Sequence, residues 1–196
     1  MNKEEFNNNI INDAVDILND DGVIIVPTDT VYGLCVRCDS EIAINKVYEI
    51  KKRDMNKKLP IIVDNYERLT KICDVDLEKI KKLQPFFPGK LTIVLKKKDV
   101  DETIAVRMIN NEIINKIIAK LDCALALTSA NISGCETSSD IGDLIEEFEG
   151  KVDMIIMGNK MTNVSSTIIE MINNDIVLIR EGAIPFEEIK EIFYRR

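Results

Sequence analysis

The chain has 196 residues, 45% of them hydrophobic and 31% charged, with a formal net charge of −8 and no histidine. This composition is typical of one globular domain, and it excludes mechanisms that need imidazole, such as a Ser-His-Asp triad or a histidine-ligated zinc site. If the chain is an enzyme, it works by positioning, by charge, or through a nucleophile of its substrate, as in nucleotidyl transfer.

Hydrophobic periodicity predicts helices that alternate with short apolar strands. In chain order, the predicted elements are a helix over 11–18, a strand at 23–26, a helix over 40–50, a strand at 59–63, a helix between 63 and 91, strands at 91–95 and 103–106, a helix over 114–121, a strand at 123–127, a helix over 141–148, strands at 152–156, 167–169 and 176–179, and a last helix around 189–193. Some links between strands are too short for a helical crossover, so we expect a mixed sheet. No linker or repeat interrupts the chain, which predicts a single α/β domain over 1–196.

Two features of the sequence bear on the compartment of the protein. The first ten residues are polar, and no apolar run approaches the ~18 residues of a membrane helix, so we expect a cytoplasmic protein with no membrane partner. The five cysteines are too few and too scattered for a disulfide framework. Cys35 and Cys38 have CxxC spacing, and structural thiols are favoured over a thioredoxin-like redox role because cysteine is often buried.

The charge is unevenly distributed along the chain. Residues 46–98 contain 15 Lys and Arg against 7 Asp and Glu, whereas the remainder is strongly acidic. A basic segment in an acidic protein predicts a local anion site, for instance for a nucleotide or an RNA phosphate. For Lys81, Lys82 and Lys96 to Lys98 we favour the alternative that these lysines solvate exposed faces.

Hydroxyl, amide and cationic residues cluster in three segments, although none of the eight glycines forms a GxGxxG or P-loop motif. Two of the segments, PTDTVYGL at 27–34 and TSANISG at 128–134, each follow an apolar strand. Loops at the carboxyl ends of strands are where α/β proteins bind ligands. The first segment, taken alone, fits a structural turn equally well.

The third segment, residues 51–59, runs from a helix end into a strand. Lys51 is favourable at a helix C-terminus for the dipole alone, whereas Arg53 and Lys57 lie beyond the helix and can meet a polyphosphate. Ser129 has no histidine to activate it, so we favour binding over covalent catalysis for this serine.

Taken together, these segments resemble the YrdC family, the L-threonylcarbamoyladenylate synthases of tRNA modification. The resemblance extends over residues 22–184, which indicates the short form with a single YrdC-like domain. It rests on motifs in family order: PTDTVYGL, the pair Lys51 and Arg53, FPGKLT at 87–92, AVR at 105–107, TSANISG, STII at 166–169 and REGAI at 180–184.

The resemblance implies a twisted α/β sheet around a large, positively charged cavity. It also implies a nucleotidyltransferase that makes threonylcarbamoyl-AMP and pyrophosphate from L-threonine, bicarbonate and ATP, with magnesium accompanying the ATP and no protein-bound metal. Downstream threonylcarbamoyl-transferase proteins would then modify tRNA. A carbamate formed from threonine carries its own attacking oxygen, so without histidine only that oxygen or a lysine such as Lys51 is left as the base.

The matched positions imply a set of site residues. The reaction centre is expected at Lys51, Arg53, Ser129 and Asn131. ATP contacts are expected from Arg53, Lys57, Thr103, Ser129, Thr137 and Arg180. The threonine pocket is expected from Thr30, Ile62, Arg107, Leu127 and Ser166, with Arg107 suited to the carboxylate.

The chain departs from the family pattern around Arg53, because Asp54 and Lys58 stand where prolines are usual. We expect the Asp54 carboxylate to weaken the contact of Arg53 with ATP. Two alternatives remain open. One is a non-enzymatic module of the same fold that binds double-stranded RNA, tRNA or rRNA through residues 46–98. The other, with less support, is a carbamoyl-transfer domain like those of hydrogenase maturation proteins.

Overall fold

The computed structural model describes residues 3–138, 140–158, 164–172 and 175–195, with side chains from residue 8 onward except that of residue 172. The helices in these ranges are α1 (Lys3–Asn19), α2 (Glu41–Lys51), α3 (Tyr66–Ile72), α4 (Leu77–Lys82), α5 (Glu112–Leu121), α6 (Ile141–Phe148) and α7 (Phe186–Tyr194). The strands are β1 (Ile24–Pro27), β2 (Tyr32–Arg37), β3 (Ile61–Val63), β4 (Leu91–Lys96), β5 (Thr103–Met108), β6 (Leu125–Ser129), β7 (Met154–Ile155), β8 (Thr167–Ile172) and β9 (Asp175–Arg180). None of the described helices is long and apolar enough to cross a membrane.

The nine described strands join one sheet in the order β7-β1-β2-β6-β3-β5-β4-β8-β9. β1 with β7, β3 with β5, and β4 with β8 run parallel, whereas the other neighbours are antiparallel. The α/β class and the mixed sheet predicted from the sequence are therefore confirmed. The helix expected between 63 and 91 is two short helices, α3 and α4.

Helices cover both faces of the sheet. Successive residues of a strand point to opposite faces, so neighbouring residues pack against different helices. Ile24 of β1 belongs to a core cluster with α1 and α5, whereas Ile25 belongs to a second cluster with α2, α3, α4, α6 and α7. All four residues of β1 are buried. Burial on both faces explains why this strand is a continuous apolar run rather than an alternating pattern.

The segment PTDTVYGL divides into a tight turn and a strand, which corrects its interpretation as one polar loop. Thr28 closes the turn, since its Oγ1 donates to the Val31 carbonyl at 2.6 Å and accepts the N–H of Thr30 at 3.1 Å. From Tyr32 onward the chain pairs with β1 and is buried. Gly33 interrupts the apolar pattern because a Cβ there would lie 2.7 Å from the Leu127 side chain of β6.

Thr167, at the start of β8, fixes the segment that follows β9. Its Oγ1 donates to the Ile184 carbonyl at 2.6 Å and accepts the N–H groups of Gly182 and Ile184, each at 3.0 Å. Gly182 lies so close to β8 that a Cβ would approach the Ser165 carbonyl oxygen to 2.3 Å. The segment that includes Arg180 is thereby held against the end of β8.

The Thr167→Val variant is expected to lower the free energy of unfolding by about 3 kcal/mol, because the buried N–H and carbonyl of Ile184 and the half-buried N–H of Gly182 each lose their bond to Thr167. Urea denaturation followed by circular dichroism measures the change. Thr70→Val is the matched control, since Thr70 makes a single exposed bond to the Glu67 carbonyl. If Thr167→Val lowered the free energy of unfolding no more than the control does, Thr167 would not be what holds the segment after β9 against β8.

Candidate functional site

A cavity of about 180 Å³ lies where the β1–β2 turn meets β3, β5, β6 and the segment preceding β8. The five residues predicted for the threonine pocket all line it: Thr30, Ile62, Arg107, Leu127 and Ser166. Three residues predicted to contact ATP also line it: Arg53, Ser129 and Arg180. The described residues of the lining include three arginines and no carboxylate. The structure therefore brings together residues that are 150 positions apart in the chain.

Arg107 is the buried cation of this cavity, with 6% of its surface exposed. Three partners hold its guanidinium: the Gly89 carbonyl at 2.9 Å, Thr30 Oγ1 at 3.1 Å and Asp29 Oδ1 at 2.5 Å. Burial and the nearby Arg180 lower the pKa of Arg107, whereas Asp29 opposes that shift. Asp29 was not among the predicted site residues, although it lies within the PTDTVYGL motif.

Hydroxyl groups line the wall beside Arg107. Thr92 Oγ1 and Ser166 Oγ lie 2.9 Å apart, and Thr28 Oγ1 lies 3.0 Å from Thr30 Oγ1. Arg180 donates to the Ser166 carbonyl at 2.8 Å, and partial desolvation lowers the pKa of Arg180. Thr28 lies in PTDTVYGL and Thr92 in FPGKLT, but neither was among the predicted site residues.

Lys51 is the centre of a buried hydrogen-bond network that fixes the turn after β6. Only 1% of its surface is exposed, and its Nζ donates to the Ser129 carbonyl at 2.5 Å, the Asn131 carbonyl at 2.6 Å and Asn131 Oδ1 at 3.1 Å. Ser129 Oγ donates to the same Asn131 Oδ1 at 2.5 Å, and the Asn131 amide donates to the Cys135 carbonyl at 2.6 Å. Lys51, Ser129 and Asn131, all predicted at the reaction centre, are therefore in direct contact.

The ammonium of Lys51 has three N–H groups, and all three have acceptors. Burial, and then repulsion by Arg53, lowers the pKa of Lys51 to about 8. A charged lysine whose donors are all used has no free N–H for a phosphate and no lone pair for a proton. The geometry therefore favours a positioning role for Lys51 over the role of a base.

A second cleft, of about 160 Å³, adjoins the first and shares Arg53 and Ser129 with it. Lys57 also lines this cleft, and its carbonyl accepts bonds from Arg53 Nε at 3.0 Å and from the Tyr48 hydroxyl at 3.1 Å. The Asp54 carboxylate accepts the N–H of Asn56 at 2.9 Å, which closes the loop after α2. Asp54 thus has a structural role in the loop beside its expected effect on Arg53.

Two predicted ATP contacts lie elsewhere. Thr103 opens β5 and lines a separate cavity of about 540 Å³ with Asp101, Glu102 and Glu170. Thr103 and Arg107 are four positions apart, a distance of about 13 Å along a strand, so the structure does not bring Thr103 next to Arg107. Thr137 follows the TSANISG turn and lines neither of the two clefts that share Arg53.

Most lysines of the basic segment 46–98 that have described partners pair with local carboxylates. The pairs are Lys58–Glu102 at 2.7 Å, Lys71–Glu67 at 2.9 Å, Lys79–Asp76 at 3.2 Å, Lys81–Glu78 at 3.1 Å, Lys96–Asp101 at 3.3 Å and Lys97–Glu102 at 3.8 Å. The expectation of exposed, solvated lysines is confirmed for Lys81, Lys82, Lys96 and Lys98, whereas Lys97 is half-buried. In the part of the chain that the structure describes, no group of three Cys, Asp or Glu side chains is placed to hold a metal ion.

Comparison with known proteins extends these observations. A family model named Sua5/YciO/YrdC, described as telomere recombination, matches residues 16–182. A Methanocaldococcus jannaschii protein, named as a candidate threonylcarbamoyl-AMP synthase, is 39% identical over 172 residues, which cover 85% of this chain and 83% of the relative.

Two solved structures are also similar. Pyrococcus abyssi Sua5 in complex with L-threonine has a TM-score of 0.85 at 33% identity and covers 93% of this chain, but only 56% of the Sua5 chain is matched. The present chain thus spans about half the length of that relative. Escherichia coli YciO has a TM-score of 0.83 at 25% identity, with 91% of this chain and 92% of YciO covered.

Proposed function

Because this chain belongs to the Sua5/YciO/YrdC family, we propose that it is an L-threonylcarbamoyladenylate synthase, which makes threonylcarbamoyl-AMP and pyrophosphate from L-threonine, bicarbonate and ATP. One observation carries the proposal. Arg53 and Ser129 line both the cavity that contains Arg107 and the cleft that contains Lys57. An amino acid in the first and a polyphosphate in the second would meet at this shared wall.

The proposed reaction needs no protein nucleophile. The amine of threonine combines with bicarbonate to give a carbamate and water, and a carbamate oxygen then attacks the α-phosphorus of ATP. A new P–O bond forms, the bond to the β-phosphate bridging oxygen breaks, and pyrophosphate leaves with the electron pair. The Arg107 guanidinium would orient the threonine carboxylate, and the hydroxyls of Thr30 and Ser166 lie beside it.

Charge neutralisation falls to the cations that line the two clefts. Arg53, Lys57 and Arg180 present cations to the two clefts, where three phosphates would otherwise repel one another. Among the described residues that line the two clefts, Asp54 is the one carboxylate, and a single carboxylate among cations does not fit a magnesium ion held by the protein. It fits magnesium that arrives on the ATP phosphates and keeps its waters, so we propose the metal as part of the substrate.

Pyrophosphate release tests the proposal. The protein with magnesium and ATP is expected to release pyrophosphate only when both L-threonine and bicarbonate are present, and Arg53→Met should lower the rate about 100-fold. Lys98→Met, a change of one exposed cation away from both clefts, is the control. No release with all substrates present, or release that does not depend on threonine, would contradict the assignment.

A non-enzymatic RNA-binding module remains the second candidate, because residues 46–98 carry a net positive charge. The ion pairs of Lys58, Lys71, Lys81 and Lys96 weigh against it, since a paired lysine is a poor phosphate contact. If Arg53→Met removed RNA binding while pyrophosphate release was absent in both forms, the RNA-binding role would replace the enzyme. As an enzyme, the protein would pass its product to transferase proteins that modify tRNA.

A further inference from the structure

The structure assigns a thiol-modification site to Cys38 and Cys123. We propose that these two cysteines form an intramolecular disulfide when the folded protein reacts with a low-molecular-weight disulfide such as oxidised glutathione. The site lies at the opposite end of β2 and β6 from Gly33 and Ser129, and the inference does not depend on the proposed function.

The backbone holds the two cysteines together. Cys38 directly follows β2, and Cys123 lies two residues before the neighbouring antiparallel strand β6. The Cys38 N–H donates to the Ala124 carbonyl at 3.2 Å, and the two sulfur atoms are 3.9 Å apart. A disulfide bond is about 2.05 Å long, so the sulfurs must approach by about 2 Å. Both cysteines lie outside the strands, where side-chain rotation can supply that movement.

The CxxC pair suggested by the sequence is separated by the sheet. Cys35 is fully buried and belongs to the core cluster with α1 and α5, whereas Cys38 packs against the cluster on the other face. Cys73 is buried next to β4, and Cys135 is exposed beyond the turn after β6. All five cysteines are described, and the contact between Cys38 and Cys123 is the one thiol–thiol contact among them.

The surroundings keep this pair reduced until a disulfide reagent reaches it. Both thiols are half-buried, and Arg37 and Asp39 form an ion pair beside them. Burial raises the pKa of Cys38 to about 12 and also raises that of Cys123, so little thiolate is present at neutral pH. Since the thiolate is the nucleophile, exchange is expected to be slow.

The reaction balances as two successive thiol–disulfide exchanges. One cysteine thiolate attacks oxidised glutathione, which breaks the glutathione S–S bond, forms a mixed disulfide and releases one glutathione thiolate. The second cysteine thiolate then attacks the protein sulfur of the mixed disulfide and releases the other glutathione thiolate. The two protons lost by the cysteines are taken up by the two glutathiones, so one disulfide is broken and one is formed.

The experiment uses the full chain carrying Cys135→Ser, which removes the exposed thiol. After incubation with oxidised glutathione under native conditions, mass spectrometry is expected to find a peptide pair joined through Cys38 and Cys123, with no glutathione retained. The crosslink closes a long loop, so Tm should rise by about 10 °C and return to its starting value after dithiothreitol.

Two variants identify the pair. With Cys38→Ser or Cys123→Ser added, the remaining cysteine is expected to stop at the glutathione mixed disulfide, without the rise in Tm. Cys35→Ser should leave crosslinking unchanged. A crosslink between Cys35 and Cys38, a stable mixed disulfide in the parent protein, or no oxidation in the folded protein under conditions that oxidise the unfolded chain would each overturn the proposal.

Discussion

The Lys51→Met variant is expected to release pyrophosphate about 1,000-fold more slowly than the wild-type protein while remaining folded. Methionine keeps most of the apolar stem of lysine but removes the three bonds to the Ser129 and Asn131 oxygens. Without them, the turn that presents Ser129 to both clefts loses its side-chain attachment to α2 and retains the backbone bond from the Ser133 N–H to the carbonyl of residue 51. The rate therefore falls although Lys51 itself need not touch the substrate.

The stability of this variant separates a positioning role from a general loss of structure. Unpaired acceptors destabilise the fold by about 3 kcal/mol, but removal of a buried charge offsets a similar amount. We expect the free energy of unfolding to change by less than about 2 kcal/mol. Lys116→Met is the control, since Lys116 is an exposed lysine paired with Glu112 on α5. If Lys51→Met folded normally and kept its rate within tenfold of wild type, the positioning role would be wrong.

The titration of Lys51 provides a second readout of the same prediction. Burial lowers its pKa from 10.5 to about 8, so the unfolded chain binds more protons between these two values. By linkage, the contribution of Lys51 to stability rises with pH through that window. Neutral lysine nevertheless has one N–H donor fewer to hold the Ser129 and Asn131 oxygens. Turnover at saturating substrate should therefore fall above about pH 8, whereas the stability of the fold should not. NMR of isotopically labelled lysine should find one amine that titrates near pH 8.

Sequence patterns anticipated the fold well where burial leaves a regular signal. The amphipathic faces of α1, α5 and α6 and the apolar run of β1 have the periods that packing on the sheet requires. β2 could not be found in this way, because Gly33 is selected by the close approach of Leu127 rather than by strand propensity. A tertiary contact therefore determines the residue type at position 33, and a local sequence pattern carries no information about such contacts.

The candidate site was anticipated through its motifs, but the bonding within it was not. Lys51, Ser129 and Asn131 were expected to face a substrate, whereas the structure joins them mainly to one another. Thr103 was expected at the site, but a strand extends by a fixed length per residue, and Thr103 lies at the far end of β5. The motifs of a family indicate which segments lie together in the fold. They do not indicate which side-chain atoms are hydrogen-bonded to one another.

The clearest consequence of such pairing concerns Arg107 and Asp29. Arg107→Met is expected to raise the KM for threonine about 100-fold with a smaller change in kcat, because the guanidinium that would meet the carboxylate is gone. The substitution also strips Asp29 of its partner at 2.5 Å and leaves an unpaired carboxylate beside the cavity. That carboxylate would repel the carboxylate of threonine, which adds to the loss.

A double-mutant cycle measures this second effect. In the wild-type background Asp29 positions Arg107, so Asp29→Asn alone should raise the KM for threonine about tenfold, through looser positioning of the guanidinium. In the Arg107→Met background, the same change should lower KM, because the repulsive charge is removed. Arg68→Met is the control, since Arg68 is a half-buried arginine on α3 that pairs with Asp64 at 2.8 Å and lies outside both clefts. It should reduce stability and leave KM unchanged. Strictly additive effects of the Asp29 and Arg107 substitutions would show that the two side chains act independently on threonine.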